Sequence, residues 1–148
     1  MISIRPLAGT EGAALAVSLA ALEPWRSLGF TVAGLEAYLR RDDPALRRVV
    51  AERAGAVAGV LALRAPWLRG PTIELLAVLP EAQGGGVGRA LVEWAVANAG
   101  GAANLWACVS AFNAPARAFW ARTGFVEAAT LPDLIRPGFD EILLRRQL

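Results

Sequence analysis

The residues best suited to chemistry in this chain lie in one dense stretch, Pro80-Glu81-Ala82-Gln83-Gly84-Gly85-Gly86-Val87-Gly88-Arg89-Ala90-Leu91. An apolar run, Ile73 to Leu79, leads into it, and a segment of helical periodicity, Val87 to Ala99, leads out. A strand, a glycine-rich turn and a helix start in that order make an anion site. Successive backbone N–H groups point outward where the helix dipole is positive. Glycine lets the backbone approach phosphate oxygens and take conformations closed to other residues. Arg89 adds a charge-assisted contact. Single residues exclude two other phosphate-binding turns. The dinucleotide fingerprint needs a glycine where Leu91 stands and an acidic residue about 20 positions on, and Asn104 to Val109 has none. The Walker loop needs a lysine, and the chain has none. The plain alternative is a glycine-rich connector with no ligand, but so many glycines at a helix start cost stability.

The elements that must position this turn read as an interleaved α/β order. Ile2 to Pro6 alternates as a strand. Thr10 is placed to cap a helix to about Leu22, and Thr31 a second to about Arg40. Arg48 to Arg53 and Val57 to Arg64 read as a hairpin joined at Gly55. Ile73 to Leu79 reads as a central strand buried on both faces, and Asn104 to Val109 as another buried strand. Asn113 starts a helix to about Arg122 that Gly124 closes. Phe125 to Thr130 and Glu141 to Arg145 are the last strands. The hairpins predict a mixed sheet flanked by helices, in one domain spanning residues 1–148.

Composition excludes several chemistries. The 148 residues, 55% hydrophobic, suffice for a sizeable core, and no apolar run approaches a membrane span. Met1 to Arg5 lacks the order of a signal peptide, so a cytoplasmic location is expected. The single cysteine, Cys108, allows no internal disulfide. Without histidine there is no Ser-His-Asp or Cys-His machinery, and no metal site is expected. All 15 basic residues are arginine, spread along a chain of net charge +2, so no concentrated nucleic-acid stripe is expected.

Gln83-x-x-Gly86-x-Gly88 resembles the (Gln/Arg)-x-x-Gly-x-(Gly/Ala) signature of the GNAT superfamily of N-acetyltransferases. Ile73 to Pro80 resembles the strand before that signature. Asn113 to Phe125 resembles the family's Asn-x-x-Ala-x-x-hydrophobic-Tyr-x-x-x-Gly-Phe segment. Leu105-Trp106, followed by Val109 and Asn113, is similar to the ribosomal-protein alanine N-acetyltransferase branch. The resemblance implies a mixed, mostly antiparallel sheet whose two central strands splay apart. Acetyl-CoA enters the gap and pairs with the first strand. Carried over, the backbone of Leu76, Ala77 and Val78 binds pantetheine, and Gln83, Gly84, Gly85, Gly86, Val87, Gly88 and Arg89 hold the pyrophosphate. Asn113 reaches the pantetheine side, or serves only as a helix N-cap.

The implied reaction is direct attack of a primary amine on the thioester. It needs a neutral amine, an oxyanion donor, for which the Val78 N–H is placed, and an acid for the departing thiolate. The side chains depart from the family. Trp120 stands where a tyrosine acid is usual, and an indole N–H does not release a proton at neutral pH. Trp120 is then a cofactor-facing wall or core packing, with packing favoured. Cys108 stands where the ribosomal branch has its glutamate base, and reads better as a buried small hydrophobe than as an acid, base or nucleophile. Glu74, four residues before Val78 and so on its face of the strand, is a base candidate working through water, or a strand end in solvent. Tyr38, the only tyrosine, either reaches an acceptor pocket from the second helix or lies at the surface, with the surface favoured. A weak base set favours an acceptor of low amine pKa, since an α-amine is more often neutral at pH 7 than a lysine. The loops Glu23 to Phe30 and Pro66 to Pro71, with the segment after Leu131, are expected to build the acceptor site. The rival readings are an acyl-CoA-binding module without turnover and an interaction domain without a cofactor. The resemblance also admits a homodimer through the terminal strands.

Overall fold

In the computed structural model, which describes residues 1–148, β2 (Leu46–Arg53) and β3 (Ala56–Arg64) form the expected antiparallel hairpin. Its turn passes through Ala54 and Gly55 at φ of 53° and 78°, the left-handed values a two-residue hairpin turn needs. The strand β1 (Ile2–Pro6) extends the hairpin beyond β2, and β4 (Thr72–Val78) pairs with β3. Next comes β5 (Asn104–Ser110), parallel to β4, then β7 (Glu141–Gln147), with β6 (Val126–Leu131) at the far edge. The order β1-β2-β3-β4-β5-β7-β6 makes one mixed sheet with a single parallel pair.

Two apolar cores lie on opposite faces, as the near-continuous apolar runs of β2 and β3 require. Val49, Ala51, Leu61 and Leu63 pack with Leu91 of α4 (Val87–Ala97) and Trp120 of α5 (Ala114–Arg122). Val50, Val60 and Ala62 pack with Leu15 and Leu19 of α1 (Gly12–Ala20) and Leu35 and Leu39 of α3 (Val32–Arg40). A short α2 (Trp25–Leu28) bridges α1 and α3. Thr31 caps α3 as expected, its Oγ1 accepting the Gly34 N–H at 3.0 Å. Thr10 does not cap α1. It lies in a 3-10 turn, Gly9–Glu11, where the Glu11 carboxylate accepts the Ala8 N–H at 2.8 Å and α1 begins one residue later.

Two expectations for the sheet fail for local reasons. The β3–β4 register steps from Ala62↔Leu75 to Leu63↔Ile73, leaving Glu74 as the extra residue of a bulge. Leu76 and Val78 therefore pack toward α4 and α5, while Glu74 bonds to Tyr38 of α3 on the other face. Glu74 and Val78 do not share a face, because the period of two breaks between them. Nor is β4 buried on both faces: Leu76 and Val78 are only half-buried. The cause is its pairing with β5, which ends after Thr72↔Trp106 and Ile73↔Ala107. Beyond Ile73 the two strands part.

Candidate active site

The parting of β4 and β5 opens a continuous cleft with two chambers. One, about 460 Å³, is lined by Leu76, Val78, the Gln83 to Arg89 turn, Asn113 and Phe119. The other, about 530 Å³, is lined by Tyr38, Glu74, Cys108, Ser110 and Glu141. Trp25, Leu76, Asn113, Ala116 and Trp120 border both, so the chambers meet at that waist.

The first chamber has the features of an elongated anionic ligand's site. Leu79 N–H bonds to Ala58 of β3 at 2.9 Å. Alternation along the strand then turns the peptide groups of Val78 and Leu76 toward the gap and those of Ala77 toward β3. Leu76 and the Val78 N–H thus offer free backbone edge, while Ala77, expected to share that role, is committed to pairing with Val60. At the end of the strand Gln83 Nε2 donates to the Val78 carbonyl at 3.3 Å. Gly84 and Gly86 have φ of 79° and 84°, and a Cβ at either would touch nothing within 4 Å, so the turn leaves an open cradle above it. Gly86 is also the N-cap of α4, whose first N–H groups face that cradle. Gly88 is needed for another reason: a Cβ there would lie 2.8 Å from the Phe119 ring, which closes the chamber floor.

Arginines lie around the turn. Arg89 is exposed, tethered only by a 3.4 Å bond to the Arg122 carbonyl at the end of α5, and Arg122 lines the same chamber. Arg53, from the end of β2, lies against Gly85, with Nη1 1.7 Å from where a Cβ would stand, and has no carboxylate partner. Sequence reasoning missed Arg53 and Arg122, because neither is near the turn in the chain. Asn113 accepts the Ala116 N–H at 3.4 Å as the N-cap of α5 and also borders the cleft. Trp120 is 6% exposed and wedged edge-on between Phe119 and Phe125, with centroids 5.4 and 4.8 Å away. Its indole N–H has no partner within the chain. Since no fully buried side-chain nitrogen or oxygen lacks a partner, that N–H keeps accessible surface, and Trp120 lines both chambers.

The second chamber revises several expectations. Cys108 is exposed to it rather than buried, because β5 has lost its β4 neighbour there. Desolvation in the cleft, and then the Glu141 charge, raise its thiol pKa, so it is not a thiolate nucleophile. Tyr38 is not a surface residue: it lines the chamber and donates to Glu74 Oε1 at 2.9 Å, and burial and that carboxylate raise its pKa. Glu74 is gripped by Arg64, which also pairs with Asp43 at 3.1 Å. Partial burial pulls the Glu74 pKa upward, but Arg64 and Tyr38 outweigh it and hold it below the usual glutamate value. The Glu23 to Phe30 loop contributes Trp25 and Phe30, and the segment after Leu131 contributes Ile135. The Pro66 to Pro71 loop is absent from the cleft. It seals the other end of β5, where the Leu68 carbonyl accepts the Trp106 indole N–H at 2.6 Å and Trp67 stacks edge-on at 5.4 Å. Glu141 and its partner Ser110 went unnoticed in the sequence, since a strand-end glutamate carries no local signal of burial.

No helix is long and apolar enough to cross a membrane. No curated protein matches the chain at a significant level. Among solved structures, the nourseothricin acetyltransferase is 34% identical, the match covering 72% of this chain and 67% of that one with a TM-score of 0.65. The ribosomal-protein-S18-alanine N-acetyltransferase from Escherichia coli is 25% identical over 99% of this chain and 94% of its own, with a TM-score of 0.77. An acetyltransferase from Thermus thermophilus shares the fold at a TM-score of 0.77 and 21% identity, over 100% of this chain and 97% of its own. The family model for acetyltransferases of the GNAT type matches residues 14–125, which span the splayed strands, the glycine turn and the Asn113 to Phe125 segment. The chain belongs to the GNAT family of acetyltransferases.

Proposed function

We propose that this chain transfers the acetyl group of acetyl-CoA to the amine of a small molecule or a protein N-terminus, with acetyl-CoA in the chamber at the glycine turn and the acceptor in the chamber of Tyr38 and Glu141. The observation that carries this reading is the waist. Two chambers of different chemistry, one with free strand edge and unpaired arginines, the other apolar with carboxylates, meet at Leu76 and Trp120.

The residues present fit the cofactor. The open backbone edge of Leu76 and Val78 suits an extended arm that pairs like an added strand. The bare cradle over Gly84 and Gly86, with Arg53, Arg89 and Arg122 around it, suits phosphates. When bound, acetyl-CoA supplies an activated thioester. The Val78 N–H, aimed into the gap, is the donor for charge developing on the acyl oxygen. Trp120 offers its free N–H at the waist as a hydrogen-bond donor to the departing sulfur, and releases no proton. Glu74, tied to Arg64 and Tyr38, shapes the acceptor chamber and is a poor base there, because its proton affinity is lowered.

The similar structures carry acceptors in their names: nourseothricin in one, and the alanine of ribosomal protein S18 in the other. The second, an alanine amine, suits the expected low-pKa acceptor. A cytoplasmic setting belongs to this proposal, as does self-association along β6, an edge strand exposed nearly throughout. Release of free CoA thiol, followed with alaninamide, short peptides, polyamines and aminoglycosides as acceptors, tests the reading. Turnover with at least one amine is expected. Tight acetyl-CoA binding without turnover on any of them favours a binding module instead.

A further inference from the structure

Glu141 begins β7 opposite Ser110, the last residue of β5. It is 4% exposed, and its carboxylate has one partner in the chain, Ser110 Oγ, which donates to Oε2 at 2.6 Å. The other carboxylates of the chamber each hold an arginine, Glu74 with Arg64 and Glu23 with Arg26. Glu141 has none. Its Oε1 accepts nothing from the chain, yet no fully buried side-chain oxygen is without a partner, so Oε1 keeps accessible surface, and Glu141 lines the chamber. A buried carboxylate with no cation of its own, at the wall of a largely apolar cavity whose other carboxylates are paired, lacks the compensation that burial of charge demands. An incoming ammonium supplies it.

We propose that Glu141 receives the acceptor's ammonium group and takes up its proton, which makes it the general base of the transfer. The proposal rests on the acetyl-transfer reading above. The ammonium N–H bond breaks and the proton passes to Oε1, leaving the nitrogen lone pair free. The nitrogen then bonds to the acyl carbon, and the thioester C–S bond breaks. A second amine proton ends on the sulfur, giving free thiol. The proton on Glu141 returns to solvent, so one acetyl group is transferred and one proton released per turnover.

The surroundings favour this role. Desolvation raises the Glu141 pKa, against the opposing bond from Ser110, and brings its proton affinity toward that of an α-amine. The other titratable or charged groups lining the chamber are Cys108 on β5, Tyr38 and Arg41 at α3, Glu74 on β4 and Glu23 before α2. Cys108 and Tyr38 both have raised pKa values and stay protonated at neutral pH, so neither competes as the base. Arg41 is drawn to the Tyr38 ring, 5.0 Å from its centroid, and forms its ion pair with Asp43.

The test compares wild type, Glu141→Gln and Ser110→Ala, using the best amine of the acceptor panel from pH 6 to 10. In Glu141→Gln, kcat/KM at pH 7 is expected to fall about 100-fold. The gap should narrow toward pH 10, where the amine needs no base. Ser110→Ala, which keeps the carboxylate and removes the bond that lowers its pKa, should move the acid limb of the profile to higher pH. Wild-type kcat/KM at pH 7 in Glu141→Gln overturns the proposal, as does a deficit equal at every pH. A measurement without any acceptor decides the case in which no amine turns over. Infrared spectra of the wild-type protein should show a carboxylic-acid C=O band, absent in Glu141→Gln, that persists above the pH at which exposed glutamates ionise. Its absence overturns the proposal by itself, whereas missing turnover with the band present counts against the acetyl-transfer reading alone.

Discussion

In the proposed reaction Trp120 and Glu141 divide the chemistry left open where Trp120 and Cys108 replace the family's usual tyrosine and glutamate. The Trp120 N–H has no partner in the chain, and Trp120 lines both chambers. Trp120→Phe keeps an aromatic ring against Phe119 and Phe125 and removes the donor. We expect kcat to fall roughly tenfold, the worth of about one hydrogen bond, and Trp120→Tyr to restore or exceed wild-type kcat. Equal kcat in Trp120→Phe would reduce Trp120 to packing. For Glu141 the sign of the stability effect is fixed by linkage. Its folded-state pKa is raised, so the stability it contributes is present below the unfolded value and lost as pH rises through the folded value. Glu141→Gln, neutral throughout, should therefore melt at the same temperature as wild type or higher at pH 8. A variant that gains stability while losing catalysis separates this residue from a structural one. Glu74 behaves oppositely. Its pKa is lowered, so its contribution is present above the unfolded value and lost as pH falls through the folded one. Glu74→Gln should destabilise at pH 7 and change kcat/KM less than Glu141→Gln does.

At the scale of elements, the glycine turn is a backbone device. Gly86 sits at φ of 84° with free space where a Cβ would go. Gly86→Ala meets no clash and pays only for the left-handed conformation, about 1–2 kcal/mol. Its methyl group would project into the open cradle proposed to hold the phosphates. Chemical denaturation should show that loss, and calorimetry should show weaker acetyl-CoA binding. A mutant with full affinity would mean that the cradle is not where the phosphates lie. The bulge at Glu74 is the second such device. It turns Leu76 and Val78 toward α4 and α5 and sends Glu74 to α3, at the point where β4 leaves β5.

For the molecule as a whole, the cofactor should act as a staple. The parted strands meet through only two residue pairs, Thr72↔Trp106 and Ile73↔Ala107, so a ligand filling the gap joins the two halves of the sheet. Acetyl-CoA at 100 times its Kd adds about 2.7 kcal/mol to stability. That raises the Tm of a chain this size by roughly 5–10 °C. Thermal melts with acetyl-CoA, and with dephospho-CoA and NAD as controls, check it. No rise at millimolar acetyl-CoA would make the glycine turn a mere connector.

Local chemistry was legible because it lies within a few residues along the chain. The turn from Gln83 to Arg89 and its helix, the Asn113 cap, the hairpin at Gly55 and the mixed α/β order all follow from glycine conformations, capping side chains and apolar periodicity. Those patterns determined the family and the half of the cleft that suits a phosphate-bearing ligand. The acceptor half depends on contacts between distant segments. Arg53 reaches the turn from β2, Tyr38 crosses to Glu74, and Ser110 meets Glu141 across 31 residues of chain. A one-residue bulge inverted the face of Glu74, and the parting of two strands exposed Cys108. Periodicity assumes an unbroken strand and burial assumes a neighbour, and both assumptions fail where the sheet opens into the cleft. Which carboxylate lies buried without a cation was decided there, by tertiary packing alone.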